Sequence, residues 1–301
     1  MYKVCVADPI NEAALNRLKT MVEVTHDTSA PEELDGIIVR TFKVNEAFME
    51  KAKKLKIISI HAVGMDNVDL EAAKKRGIPV TNVPGQSAES VAELALAGIL
   101  AISRNMKKAN TGICESRYAH HGQYDFVSHE VAGKTLGLVG AGRIAQKLAK
   151  MMDAAFGIKI LAYDPFVSTE KLAEIGMTKV ETVEELFAGS DIVSVHVPLT
   201  PGTKNLISKS AFDAAKKDLI LASTARGGVV DEEALYEALT SGKIHGAFCD
   251  VFASEPPKKD TPLVHLENFI ATPHVGGNTA ECLVRVGEES VDNCLKGLGL
   301  M

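Results

Sequence analysis

The chain has little that would suit it to nucleic acid, to metal or to a membrane. Its 301 residues carry 33 Lys and Arg against 39 Asp and Glu, a formal net charge of −6. With no basic surplus to neutralise phosphates, neither a nucleic-acid nor an anionic-membrane partner is expected. Its five cysteines, Cys5, Cys114, Cys249, Cys282 and Cys294, are scattered and odd in number. No CxxC pair occurs among them, so no metal site or redox dithiol is expected, and all five read as reduced thiols. Cys5 and Cys249 lie in apolar runs, where a thiol serves as a small buried hydrophobe. Every apolar run is too short to span a membrane, and residues 1–8 read as a strand instead of a signal peptide. These absences point to a cytoplasmic globular protein. Low-complexity tracts and internal repeats are missing as well. Apolar residues make up 46% and charged residues 24%, an ordinary globular mix.

What is present is alternation. Apolar runs at 2–7 (YKVCVA), 36–39 (GIIV), 57–60 (IISI) and 79–83 (PVTNV) read as strands, with amphipathic stretches such as Glu12–Leu18 and Val68–Lys75 between them. A second series begins at Thr135 with TLGLVG and continues through KILAYD, DIVSVHV, LILAST, GAFCDV and FIATP. Helical segments separate these too, among them Arg143–Met152, Thr182–Leu186 and Glu232–Leu239. Such βαβα alternation predicts an α/β chain with two doubly wound parallel sheets. Thr182-Val-Glu-Glu185 has the form of a capping box, Asp231 of an N-cap, and Gly242 of a helix stop. An apolar helical segment, about Ser87 to Asn105, divides the series, and the domain boundary is expected near residue 97. In the polar stretch after it, His120 and His121 are adjacent, poor geometry for a shared metal, and read as solvated loop.

Within the second series, TLGLVGAGRIAQKLAKMM reads as strand, glycine turn and helix. Gly140, Gly142 and Ala145 form a GxGxxA pattern. The first glycine permits the tight turn, the second lets a pyrophosphate approach the backbone, and the small third residue lets helix and strand pack closely. Free N–H groups at the helix start then face the phosphates. The next strand ends at Asp164, about 20 residues beyond the glycines, suited to accept from the adenosine ribose hydroxyls and to repel a 2′-phosphate. Alone, Asp164 would read as a turn former before Pro165. In this frame it favours NAD over NADP.

Polar residues recur at or just beyond the C-terminal ends of the second-series strands: Asp164, His196, Arg226, Asp250, Glu255 and His274. In an open parallel sheet those ends line one crevice. Arg226 follows the apolar run Leu219–Ala222, and a partly buried guanidinium needs an anion. Its fork suits a carboxylate held by two parallel hydrogen bonds, with Gly227 and Gly228 leaving room beside it. A structural ion pair is the equal alternative for Arg226 taken alone. His274, in ATPHVGG, is of the type that moves protons near neutral pH, although a lone histidine is more often a packing residue. Glu255, in DVFASEPP, would favour the protonated form of a neighbouring imidazole and fix its orientation. An isolated loop glutamate is ordinarily solvated. Together the three supply a carboxylate anchor, a proton carrier and its orienter beside a nicotinamide, which suits hydride transfer at the carbon α to a carboxylate.

The segments VGMDNVD (63–69), SVAELALAGIL (90–100), GKTLGLVGAGRIA (133–145), YDPF (163–166), VHVPLT (195–200), TARGGVVDEEAL (224–235), DVFASEPP (250–257) and ATPHVGG (271–277) occur in order along the chain. In them it resembles the D-isomer-specific 2-hydroxyacid dehydrogenases, in the group that holds phosphoglycerate dehydrogenases and hydroxypyruvate reductases. The resemblance implies a Rossmann NAD-binding domain at 98–274 and a discontinuous, flavodoxin-like substrate domain at 1–97 and 275–301. It implies catalytic Arg226, Glu255 and His274. Cofactor contacts are implied at Gly140, Gly142, Arg143, Ile144, Asp164, Val197, Pro198, Thr224, Ala225, Asp250, Gly276 and Gly277. It further implies a homodimer formed through the nucleotide domain, employing residues 98–134.

For the small-molecule 2-hydroxy or 2-oxo acid, the resemblance places Val63 and Gly64 at the carboxylate. Arg40, in IIVRTFKV, looks like the VRSxTKV segment of phosphoglycerate dehydrogenases and would meet a second anionic group. Ile60 stands where those enzymes carry a further arginine, a departure that counts against phosphoglycerate. His61 reads either as a substrate-pocket residue or as a structural one. A long C-terminal regulatory extension is not seen, so feedback through such a domain is not expected. The rival reading is an NAD-binding corepressor of the same architecture. The intact Arg226, Glu255 and His274 and the lack of a basic tail favour the enzyme. Formate dehydrogenase is a weaker rival, since it carries Gln where Glu255 stands.

Overall fold

The computed structural model describes residues 1–117 and 126–301, so the expectation for His120 and His121 lies outside the described residues. The chain folds as two compact units, residues 1–87 with 277–301 and residues 88–276.

The first unit contains β1 (Lys3–Val6), α1 (Glu12–Lys19), β2 (Glu23–Thr25), β3 (Gly36–Val39), α2 (Glu46–Lys51), β4 (Ile57–Ile60), α3 (Leu70–Lys75) and β5 (Val80–Thr81). Its sheet has the order β2-β1-β3-β4-β5 with every pairing parallel. The central strands are apolar at nearly every position because both faces are covered. Val4, Val6, Ile38 and Ile57 pack on one face with Leu18, Val291 and Leu295. Cys5, Ile37, Val39, Ile58 and Ile60 pack on the other with Met49 and Ala72. The last helix of the chain, Ala280–Gly297, belongs to this unit. Ser59 Oγ donates to Ser290 O at 2.8 Å. Gly297 sits so close to Ile57 that a Cβ would come within 2.6 Å of it.

The second unit opens with α4 (Ala88–Ser103) and α5 (Met106–Cys114). It continues through β6 (Thr135–Val139), α6 (Arg143–Phe156), β7 (Lys159–Tyr163), α7 (Thr169–Glu174), β8 (Thr178–Lys179), α8 (Val183–Gly189) and β9 (Ile192–Val195). Then come α9 (Lys209–Ala214), β10 (Ile220–Ser223), α10 (Glu232–Thr240), β11 (Gly246–Cys249) and β12 (Phe269–Ala271). The strand order is β12-β11-β10-β9-β6-β7-β8, again all parallel. The winding reverses between β6 and β9, which creates a switch point at their C-terminal ends. Leu136, Leu138, Ala162, Ile220 and Phe248 form the face under α4 and α6, while Val139, Val193, Leu221 and Ala247 form the face under α8, α9 and α10.

The division falls between Ser87 and Ala88 and between Gly276 and Gly277, whereas the sequence pattern puts the first boundary near 97 and the resemblance puts the second after His274. The reason is that α4 is one unbroken helix packed on α6, β10 and β11. Gly98 permits that packing, since a Cβ there would meet the Phe248 ring at 2.2 Å. A helix cannot be shared between two units at its midpoint without losing half its packing.

The caps form as the sequence suggests, with one shift. Thr182 Oγ1 accepts from Glu185 N at 3.1 Å, but Glu185 Oε2 accepts from Glu181 N, one residue before the cap. Asp231 Oδ1 accepts from Glu233 N and Ala234 N. All five cysteines are free. Burial pushes the Cys5 thiol up to about 11 and that of Cys249 up to about 12, so both are inert fillers at neutral pH. No helix among the described residues is long and apolar enough to cross a membrane, and no cluster among them could hold a metal ion.

Candidate active site

The switch point carries the glycine turn. Gly140 follows β6 with φ 87°, and a Cβ there would lie 2.8 Å from Val197 and 3.3 Å from the His196 carbonyl oxygen. Only glycine fits that conformation and that space. Gly142 precedes α6 and has the opposite surroundings: apart from the adjoining chain, no atom lies within 4 Å of where its Cβ would be. No side chain caps α6 either. Open space therefore adjoins the start of α6, which fits a dinucleotide pyrophosphate. Arg143 and Ile144 are the first two residues of α6.

Asp164 follows β7. Its Oδ2 accepts from Ala141 N at 3.0 Å and its Oδ1 from Phe166 N at 2.9 Å. The turn-forming role and the position facing the glycine turn thus coexist, and the carboxylate keeps acceptor capacity for a ribose hydroxyl. Val197 and Pro198 continue from β9, while Thr224 and Ala225 leave β10 buried. His196 bridges these two strand ends, with Nε2 2.9 Å from Ser194 Oγ and Nδ1 3.1 Å from Thr224 Oγ1. Burial pushes its imidazole down to about 3, so it stays neutral. With one nitrogen donating and the other accepting, it ties β9 to β10 and has neither nitrogen free to move a proton.

Arg226, three residues beyond β10, is half-buried and donates through Nη1 to Ala225 O at 2.8 Å. The expected role of its two neighbours needs correction. A Cβ at Gly227 would lie 1.7 Å from Phe252 O, so this glycine leaves no room for a ligand. It lets the backbone press against the loop that carries Glu255. Gly228, at φ 84°, is the open one, with Leu199 nearest at 3.7 Å. Glu232, the first residue of α10, pins the same loop by accepting from Ala253 N at 2.6 Å. No local signal in the sequence announces that contact, although an acid in a first helical turn is a free acceptor.

His274 Nδ1 lies 2.8 Å from Glu255 Oε2, and Glu255 Oε1 accepts from Phe252 N at 3.2 Å. A carboxylate only accepts, so Nδ1 donates and Nε2 is left to take up or release a proton. His274 holds φ 53°, a left-handed conformation uncommon for a side chain with a Cβ. Asp250, directly after β11 and only 2% exposed, accepts from Val275 N and Gly276 N, each at 2.8 Å. It also accepts from Thr272 Oγ1, a residue that the sequence pattern does not single out.

The remaining sequence candidates lie in the first unit. Arg40 follows β3; its backbone N donates to Asp8 Oδ2 at 2.7 Å and its guanidinium to Asn278 Oδ1. His61, after β4, is 2% exposed and neither ring nitrogen has a hydrogen-bond partner among the described residues. Burial, and then the charge of Arg40, push its imidazole down to about 4. Val63 and Gly64 sit in an exposed loop, where Asn82 Nδ2 holds Val63 O at 2.7 Å. Gly277 also belongs to this unit.

Because β6 to β12 all run the same way, Gly140, Asp164, Arg226, Asp250, Glu255 and His274 come to one edge of the second unit's sheet. A dinucleotide turn sharing that edge with an oriented imidazole fits an NAD-binding domain with an acid–base group beside it. Comparison with known proteins narrows this. Residues 96–276 match the family described as D-isomer specific 2-hydroxyacid dehydrogenase, NAD binding domain. A hydroxypyruvate reductase of Thermotoga maritima is 41% identical over 311 residues, covering 99% of both chains. A D-3-phosphoglycerate dehydrogenase of Methanocaldococcus jannaschii is 40% identical over 312 residues; 99% of this chain spans 58% of that longer protein. The solved D-lactate dehydrogenase of Aquifex aeolicus, complexed with NAD and lactic acid, is 30% identical with a TM-score of 0.84, covering 96% of this chain and 93% of that one. The chain belongs to the D-isomer-specific 2-hydroxyacid dehydrogenase family, and its second unit is the NAD-binding domain.

Proposed function

We propose that the protein interconverts a D-2-hydroxy acid and its 2-oxo acid, and that the substrate has a second polar or anionic end. The observation that carries the reaction is the Glu255–His274 pair, 2.8 Å apart, on the sheet edge shared by Arg226 and the glycine turn. Bound NAD supplies the hydride donor or acceptor. Arg226 pairs with the substrate carboxylate through a charge-assisted fork. In reduction, His274 Nε2 would give its proton to the carbonyl oxygen; in oxidation it would take the hydroxyl proton. Glu255 keeps the ring turned so that Nε2 points away from the pair.

Gly140, Gly142, Arg143 and Ile144 hold the pyrophosphate; Asp164 holds the adenosine ribose and selects against a 2′-phosphate. Val197, Pro198, Thr224, Ala225, Asp250, Gly276 and Gly277 complete the cofactor contacts. Val63 and Gly64 offer backbone N–H groups to the carboxylate, and Arg40 with His61 meets the far end of the acid. The hydroxypyruvate reductase and phosphoglycerate dehydrogenase relatives support a substrate with such an end. The protein acts in the cytoplasm as a homodimer joined through its nucleotide-binding unit; Met106, Ile113 and Val127, all exposed and apolar, support that face.

A panel of NADH-oxidation assays tests the reading, using pyruvate, glyoxylate, hydroxypyruvate, oxaloacetate, 2-ketoglutarate and phosphohydroxypyruvate. Turnover best with an acid bearing a hydroxyl or anion beyond the 2-oxo group is the expected result. Silence with all six would move the reading to the NAD-binding corepressor.

A further inference from the structure

We infer that Asp250 is a positioning residue for the proton carrier: it folds the 272–276 turn that presents His274 to Glu255. The inference rests on the proposed role of His274. It starts from where the donors of that turn go. Thr272 Oγ1 and Val275 N both donate to Asp250 Oδ1, and Gly276 N donates to Oδ2. His274 N donates to the backbone oxygen of Asp250 at 2.8 Å. Pro273 has no N–H to give. Every residue of the turn able to donate therefore has a bond to this one aspartate. A Cβ on Gly276 would come within 3.1 Å of Asp250 Oδ2, so the smallest residue stands where the carboxylate approaches the chain.

The arrangement answers a conformational need. His274 is held at φ 53°, where a residue with a Cβ stays only if its surroundings over-determine it. Released from that conformation, the ring would leave the 2.8 Å contact with Glu255. Asp250 itself is 2% exposed and follows β11 directly, so the sheet fixes its place. Three donors already occupy its carboxylate, which has room for about four. Its first obligation is to the turn, and any cofactor contact comes after that.

The test separates positioning from cofactor binding and from general stability. Thr272→Val removes one donor while leaving the carboxylate charge alone, and Thr272→Ser keeps the hydroxyl. Both are measured in the full chain with the best acid from the panel, together with NADH affinity by fluorescence titration. Thr272→Val is expected to lower kcat about tenfold, with NADH affinity changed less than about twofold, because a small misplacement of an acid–base group is costly to rate. Thr272→Ser is expected to recover most of that loss. Asp250→Asn should lose at least about 100-fold in kcat; if it does not fold, the Thr272 pair decides. Wild-type kcat in Thr272→Val, or a serine variant as slow as the valine one, would overturn the inference. So would an NADH affinity that falls as far as kcat, since Asp250 would then act directly on the cofactor. If the wild-type protein turns over no acid, the proposed function fails first. The positioning role is then read from the His274 ring signal in a ¹⁵N-histidine spectrum, assigned with His274→Asn. That signal should move in Thr272→Val and stay in Thr272→Ser; an unmoved signal in both sinks the idea.

Discussion

In the proposed reaction Arg226 and His274 divide the work between holding and moving. A guanidinium stays charged at any ordinary pH, so Arg226 has no use as a proton carrier and every use as an anchor. Arg226→Lys keeps the charge but loses the fork. The expected outcome is a drop in kcat/KM of at least about 100-fold, because a buried charged hydrogen bond is worth about 2–5 kcal/mol. NADH affinity should hardly change, and a large loss of it in a titration would show that the guanidinium serves the cofactor. His274→Asn should keep substrate and NADH binding while kcat falls by about 10²–10⁴-fold, the range for a lost acid–base group. Near-normal turnover would remove His274 as the proton carrier. The position of both at the strand ends was legible in the sequence, since each follows an apolar run that ends beside glycines. Their supports were not. The bonds from Glu232 to Ala253 N and from Thr272 to Asp250 join residues 21 and 22 apart, and only the parallel sheet brings them together.

The strand, turn and helix formed by β6 and α6 show why two glycines in one motif do different work. Gly140 is needed by the fold, since its φ of 87° and its contact with Val197 both exclude a side chain. Gly142 is not, since apart from the adjoining chain nothing lies within 4 Å of a Cβ there. Gly142→Ala should therefore change unfolding free energy by no more than about 1 kcal/mol, while NADH affinity falls about tenfold, or 1.4 kcal/mol. Gly140→Ala should lose about 1–3 kcal/mol of stability from the backbone alone. Denaturant melts and NADH titrations of the two variants check this, and undiminished NADH affinity in Gly142→Ala would move the pyrophosphate elsewhere. The same contrast explains which elements a sequence pattern reveals. The buried strands β3, β4 and β6 stand out as apolar runs. The edge strands β2 (EVT) and β8 (TK) have no apolar run, because no second face of theirs is fully covered. Helices α2, α7 and α9, at six residues each, are too short for a helical period to declare itself.

At the scale of the molecule, desolvation holds two histidines well below the ordinary imidazole range, His61 in the first unit and His196 in the second. Residue type gives no warning of either, because burial is decided by the whole fold. Their imidazoles lie at about 4 and about 3, below the 6.5 of an unfolded chain. Between those values and 6.5 the unfolded chain binds more protons than the native one, so stability rises with pH. The native advantage is complete above about 6.5 and is lost progressively as the solution is acidified. At pH 5, His61 alone should cost about 2 kcal/mol relative to neutral pH, since each pKa unit is worth about 1.4 kcal/mol. The two histidines are not equivalent, however. His196 has a partner at each nitrogen, so replacing it breaks bonds as well as changing the titration. His61 has none at either among the described residues, so an apolar residue of similar size loses no hydrogen bond to them. His61→Leu should accordingly be at least as stable as the wild type at pH 7, and should lose less stability on acidification to pH 5. Urea titrations of both proteins at the two pH values measure this. A variant much weaker at pH 7 would mean that the imidazole has a partner in solution, and parallel acid losses would mean that His61 is already charged in the native state.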